Sequence, residues 1–133
     1  MEWVITCNTR MFDIQEAFNE LSVIDWKQSA NMQVGDKVFI YVGKPIMAIC
    51  YQCVVIKAAM ENQEIDDSKF IKNYENYKKH KKYMRLQLEQ KYDEKQFPYS
   101  ELIDNGLKTL QGPSRVSNEL LEFLTTRIAC NGR

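Results

Sequence analysis

The sequence predicts an α+β fold: a mainly antiparallel, curved sheet with flanking helices. Three observations carry this. Val34 to Lys57 holds two apolar runs joined at Gly43-Lys44-Pro45, Tyr83 to Tyr92 alternates apolar with polar residues, and Ile14 to Leu21 and Leu120 to Ile128 repeat apolar residues at helical spacing. Strands and helices that segregate along the chain favour α+β over a regular strand–helix alternation.

In chain order, Glu2 to Cys7 is a short run of β-formers ending at Asn8-Thr9, polar residues suited to a strand end that faces a cleft. Asp13-x-x-Glu16 fits a capping box, with Phe12 and Ala17 placed as a staple, so a short amphipathic helix carries Ile14, Ala17, Phe18 and Leu21. Ile24-Asp25-Trp26 follows, then the polar stretch Lys27 to Gln33. Val34-Gly35-Asp36 reads as a turn, and the runs after it, Val38 to Val42 and Ile46 to Ile56, read as strands buried on both faces. Pro45 cannot continue a central ladder, so the chain must reverse there and form a buried hairpin, the spine of the fold.

From Met60 the composition changes. Glu61, Glu64, Asp66 and Asp67 precede a helix expected near Ser68, with Phe70, Tyr74 and Tyr77 at helical spacing, in a lysine-rich insert over about 61–82. Tyr83 to Tyr92 reads as a half-buried strand, with Met84, Leu86 and Leu88 on one face and Arg85, Gln87 and Glu89 on the other. Phe97-Pro98-Tyr99 breaks it. A short helix over Tyr99 to Ile103 ends at Asn105-Gly106, a short strand is expected over Leu107 to Leu110, and Gln111 to Ser114 is a loop. Ser117 caps a last helix with Leu120, Leu121, Leu124 and Ile128 on its apolar face.

With 133 residues, 44% of them apolar, and a formal net charge of zero, the chain is expected to be one domain spanning 1–133 that needs no metal or disulfide staple. Its abrupt end after Ile128 leaves room for a further C-terminal part. No apolar stretch reaches transmembrane length and Met1-Glu2-Trp3 does not open a signal peptide, so the expected location is cytoplasmic, with no membrane partner.

Cys50 and Cys53 have C-x-x-C spacing, but inside a predicted strand, where residues three apart point to opposite faces. A redox pair wants a helix N-terminus, and a zinc site wants ligands converging from a turn. His80 is the only histidine, so the expectation is buried structural thiols, with no metal and no cofactor. Nucleotide-binding glycine motifs are absent, no nucleophile stands beside the histidine, and the acidic pairs Asp66-Asp67 and Asp93-Glu94 lie in polar segments. The sequence therefore argues against catalysis.

Clustered charge is more informative. Lys69 to Lys95 holds nine Lys/Arg against four Asp/Glu, densest at Lys78, Lys79, Lys81 and Lys82, with Arg85 just beyond. Such a cluster either is a solvated face or contacts phosphates, positioning a nucleic acid without specifying its sequence. Trp3, Trp26 and Tyr41 are large aromatics beside strands and so candidates for the core. Trp26 also precedes the polar Lys27-Gln28-Ser29, where it could instead stack a flat ring whose edge Asn8 or Gln28 would bond.

The strand from Trp3 to Cys7-Asn8, the helix after Phe12, Ile24-Asp25-Trp26 and Val34-Gly35-Asp36 leading into Val38-Phe39-Ile40-Tyr41 resemble the EVE domain of the PUA-like superfamily, whose relatives include YTH and ASCH domains. So do Gly106-Leu107 and Gln111 to Val116 before a final helix. The resemblance implies a PUA-like pseudo-barrel of about five or six strands with a base-holding pocket between strand ends. It places Asn8 at the pocket rim, Trp26 as a stacking wall, Tyr41 and Lys44 at the hairpin end, and Gln111 and Ser114 in the loop before the last helix. The expected function is a non-catalytic nucleic-acid-binding module that holds a modified base, a cytosine derivative in DNA, within modification-dependent restriction. Any nuclease would then be a fused or separate partner. An RNA-binding PUA-like module and an ASCH-like enzyme acting on a free nucleoside are the alternatives.

Overall fold

The structure, a computed structural model, describes residues 1–72 and 82–131. Its elements run β1 (Glu2–Cys7), α1 (Ile14–Glu20), β2 (Val23–Lys27), β3 (Lys37–Val42), β4 (Ala48–Met60), β5 (Tyr83–Lys91), α2 (Tyr99–Asp104), β6 (Ser114–Arg115) and α3 (Asn118–Asn131), with a 3-10 turn at Ser68–Phe70. The strands form one open, curved sheet in the order β2-β5-β4-β3-β1-β6.

The hairpin β3–β4 lies at the centre, as its apolar runs require. Both its faces are covered. Trp3, Ile5, Ile24, Val38, Ile40, Val55, Met84 and Leu86 pack under α1 on one face, and Val4, Phe39, Tyr41, Ile49 and Phe97 pack under α2 and α3 on the other. Each fully buried aliphatic contributes roughly 1.5–3 kcal/mol through its removal from water.

The N-caps form as expected, but the capping box is half made, because the Asp13 N–H donates to the Phe70 carbonyl at 2.8 Å and not to Glu16. Asp13 accepts a hydrogen bond from the Glu16 N–H at 3.3 Å and starts α1, and Ser117 accepts one from Leu120 at 3.1 Å at the start of α3. Gly106, at φ +106°, ends α2, with Leu107 N–H closing on the Leu102 carbonyl at 2.9 Å.

β1 pairs with β3 in parallel, Glu2 opposite Lys37 through Cys7 opposite Val42, while the other strand pairs are antiparallel. The two strands therefore finish side by side. β2 is not evident in the sequence as a strand: it is five residues long and buries a charge, Asp25, at its middle.

Four expectations are corrected. Leu107 to Leu110 forms no strand; the last pairing is made by Ser114 and Arg115 against Val4 and Trp3. Cys50 and Cys53 join the same core cluster, because a bulge leaves Cys50 extra between the pairs Tyr41–Ile49 and Ile40–Tyr51 and so reverses the alternation. The helix expected near Ser68 begins as one 3-10 turn, because Asp66 accepts from both the N–H and the hydroxyl of Ser68, and Phe12 then bridges to Ile71. The helical spacing through Tyr74 and Tyr77 lies outside the described residues. On α3 it is Phe123 that joins Leu120, Leu124 and Ile128 in the cluster; Leu121 does not.

Candidate nucleic-acid interface

Where β1 and β3 end, the chain is drawn into a compact rim. Beyond Cys7, the Asn8 carbonyl accepts from Met11 and Phe12, and the Asn8 side chain accepts from the Arg10 N–H at 2.9 Å, which turns the chain sharply. Beyond Val42, the Gly43 N–H donates to the Cys7 carbonyl at 3.0 Å, and the Thr9 hydroxyl donates to the Lys44 carbonyl. Asn8, Arg10 and Lys44 are thereby held together.

Two further segments join them. Lys72 N–H donates to the Met11 carbonyl at 2.9 Å. The Phe12 ring meets Trp26 edge to face, centroids 5.2 Å apart at 86°, which brings in the end of β2 with Lys27. Gln28 N–H then donates to the Lys82 carbonyl at 3.0 Å.

Arg10, Lys27, Lys44, Lys72 and Lys82 are all exposed and, among the described residues, form no ion pair. Lys37, Lys69 and Arg127 are committed instead to Glu89, Glu20 and Glu101, at 2.7, 2.6 and 3.0 Å. The rim therefore carries an excess of unpaired positive charge, with the Asp13 carboxylate close enough to act on Cys7 together with Lys27 and Lys72. Its one thiol is inert: burial pushes Cys7 up to about 12, against the downward pull of Lys27 and Lys72.

Of the residues singled out in the sequence, Asn8 and Lys44 lie on this rim, and the half-buried Trp26 packs on Phe12 beside it and against the core. Gln28 has a different task. Its amide donates to the Ala30 and Met32 carbonyls at 3.0 and 3.3 Å, and its oxygen accepts from Ala59 N–H at 2.8 Å. These bonds tie the loop after β2 to the end of β4 and shape a shallow cleft of about 550 Å³, lined by Ser29, Asn31, Met32, Ala59 and Lys82.

The rest are placed elsewhere. Tyr41 is only 4% exposed and packs in the core under α2, its ring 6.0 Å from Tyr99, so it is not at a rim. Gln111 is exposed on the loop before β6, and Ser114 lies in β6 opposite Val4, at the far edge of the sheet from β2. Arg85 is not free for phosphate. Its Nε and Nη2 hold the two oxygens of Asp25 at 2.8 and 3.2 Å, and Nη2 also reaches Glu64 at 2.9 Å. Lys78, Lys79 and Lys81 lie outside the described residues; Lys82 is exposed at the cleft.

The sequence does not single out Arg10, Lys27 and Lys72 as a group, because only the folded chain brings three distant segments together. Lys27, next to Trp26, is the most visible of them. Among the described residues, no group of His, Cys, Asp and Glu could hold a metal ion, and no helix is long and apolar enough to cross a membrane.

No protein-family model and no curated protein matches the sequence. The fold, however, is similar to that of the ASCH protein of Zymomonas mobilis, at 11% identity, a TM-score of 0.59 and 94% coverage of both chains. A point mutant of the same protein aligns at 10% identity and a TM-score of 0.61, over 94% of this chain and 96% of that one. A Rhodopseudomonas palustris protein solved by NMR aligns at 11% identity and 0.60, over 98% of this chain and 94% of that one. The fold is thus shared with the Zymomonas mobilis ASCH protein, and it is the expected α+β fold with a curved, mainly antiparallel sheet.

Proposed function

We propose that this chain is a non-catalytic nucleic-acid-binding module whose ligand lies across the ends of β1 and β3. One observation carries the reading: five cations without acidic partners among the described residues, Arg10, Lys27, Lys44, Lys72 and Lys82, gather from separate segments around a half-buried tryptophan. Leaving like charges together is unfavourable for the folded protein alone and favourable once they neutralise phosphates and release counterions. Trp26 offers a flat ring against which a base could stack, and Asn8, tied to it through Phe12, has its side-chain amide N–H group left to bond a base edge.

The finer reading, an EVE-like module that takes a modified base out of its stack, rests on Asn8 and Trp26 lying at one rim. On this reading the lysines at 78, 79 and 81, outside the described residues, extend the phosphate contacts, and any nuclease is a partner.

The test is a titration at fixed salt against RNA and DNA oligonucleotides that differ only in one central cytosine, either plain, 5-methyl or 5-hydroxymethyl. Salt-sensitive binding is expected, and a preference of about tenfold, near 1.4 kcal/mol, for one form would identify the base read. Absence of binding to every oligonucleotide, with turnover of a free nucleoside, would replace the module with an ASCH-like enzyme.

A further inference from the structure

The cleft beside the rim is shaped by contacts that the nucleic-acid reading does not itself need. Gln28 spends all its side-chain hydrogen bonds on it, fixing the carbonyls of Ala30 and Met32 and the N–H of Ala59. Ala59 sits at φ +54°, a left-handed conformation strained for any residue with a Cβ. Irregular pairing between β4 and β5, with register shifts from Val55 to Lys57 and from Lys57 to Met60, turns β4 here. The result is an exposed alanine, a small residue, beneath a wall that carries Ser29 and Asn31. Neither of those side chains makes a hydrogen bond within the protein among the described residues, so both are free to bond a ligand. Lys82 supplies the positive charge, and it is shared between cleft and rim.

We infer that this cleft takes the sugar and phosphate of the nucleotide next to the one held at the strand ends, so that the preferred ligand is a single strand longer than one nucleotide. The inference rests on the nucleic-acid reading above and adds polymer form and a second subsite to it. A hydroxyl and a carboxamide can bond sugar hydroxyls and phosphate oxygens without reading the base, and one lysine neutralises one phosphate. A duplex holds its sugars in a stiff helix and cannot bend one nucleotide from the rim into the adjoining cleft, whereas a single strand can. The cleft adjoins the rim through Lys27-Gln28, so one continuous strand can reach both.

The experiment measures the affinity of oligouridylate and oligothymidylate ladders, from one to six nucleotides, at one stated salt. Wild type is compared with a Ser29→Ala, Asn31→Ala variant that leaves the Gln28 bracket and the shared Lys82 in place. Wild type should gain about tenfold on passing from one nucleotide to two or three, from one added phosphate neutralised and its neutral bonds. The variant should lose the part of that gain that the Ser29 and Asn31 side chains supply, bind the mononucleotide as wild type does, and keep its melting temperature. Identical ladders for the two proteins would overturn the second subsite and leave the rim standing. A duplex binding as well as its single strands would overturn the single-strand preference. If wild type binds no oligonucleotide of any length, the nucleic-acid reading itself fails, and the subsite with it.

Discussion

Asp25 and Arg85 face each other across β2 and β5 in a two-point ion pair, Nε to Oδ1 at 2.8 Å and Nη2 to Oδ2 at 3.2 Å. The Asp25 side chain has no exposure, and its Oδ2 also accepts the N–H groups of Glu64 and Ile65 at 2.7 and 2.9 Å. One carboxylate thus pins the stretch after β4 to the edge of the sheet. Removing its partner leaves a buried anion. Arg85→Met should destabilise the fold by about 3 kcal/mol, the low end for a broken buried pair, because the two backbone donors remain. Asp25→Asn combined with Arg85→Met should cost less than the two singles added, read from denaturant midpoints.

The same site sets a pH dependence. Burial alone would raise the Asp25 carboxyl, but the Arg85 and backbone hydrogen bonds outweigh it and hold it below the usual carboxylate range. Its contribution is therefore present above the unfolded pKa and lost as pH falls through the lower folded value. Asp67 behaves in the opposite way. It is 3% exposed, its Oδ2 has no hydrogen-bond partner among the described residues, and burial, with Asp66 and Asp25 nearby, raises its carboxyl against the pull of Gln63 and its own backbone. A raised folded pKa means the native state binds the proton more tightly, so stability declines as pH rises past the unfolded value of about 4. Asp67→Asn should flatten that decline: its melting temperature relative to wild type should be higher at neutral pH than at pH 4. A constant difference across the range would show that Asp67 titrates normally.

The fold was largely legible because its spine is local. Val38 to Val42 and Ala48 onward announce themselves by unbroken apolar content, and β1 by its ends. β2 was not legible, because Asp25 looks like a surface residue until Arg85, 60 positions away, arrives to neutralise it. The Cys50 bulge was hidden for a similar reason, since the ladder with β3 creates it and no residue type marks it. Of the site, Asn8, Trp26 and Lys44 are nameable from sequence, but the resemblance puts Tyr41 in the wrong environment. Alternation puts Tyr41 on the face with Val4 and Phe39, under the helices after β5, and a buried aromatic there is indistinguishable in sequence from one lining a pocket. Lys27 and Lys72 gain meaning only from the Phe12 contacts that bring β2 and the Ile71 segment to the same rim.

Charge at the rim should be visible in salt dependence. Replacing Arg10, Lys27, Lys44 and Lys72 with Gln should flatten the slope of log affinity against log salt by about 0.7 for each single-strand phosphate that is no longer neutralised. Replacing Lys37 and Lys69, which are held by Glu89 and Glu20, should leave the slope as it is. Equal slopes for both sets would place the ligand elsewhere.

Gln28 is the residue on which the cleft's shape depends. Gln28→Ala would strand the Ala59 N–H and the Ala30 and Met32 carbonyls. Partly exposed groups recover water, so the expected destabilisation is about 1–3 kcal/mol. Amide exchange at Ala59 should accelerate well beyond what that global change predicts. An unchanged Ala59 rate would show that the strand holds its strained conformation without the bracket.

The two faces of the sheet make opposite claims on a bound base, and a pair of substitutions separates them. Trp26 is half-buried, so Trp26→Leu keeps most of the packing against Phe12 while removing the stacking plane. It should weaken oligonucleotide binding by about 1–3 kcal/mol, the range for removal of one base–aromatic stack, with the protein still folded by circular dichroism. Tyr41 belongs to the other face; burial, with Tyr99 beside it, keeps its phenol protonated well beyond neutral pH. Tyr41→Phe removes only a hydroxyl that touches nothing at the rim and should leave binding as in wild type. If instead Tyr41→Phe weakens binding and Trp26→Leu does not, the base lies under α2, and the rim around Asn8 serves the backbone alone.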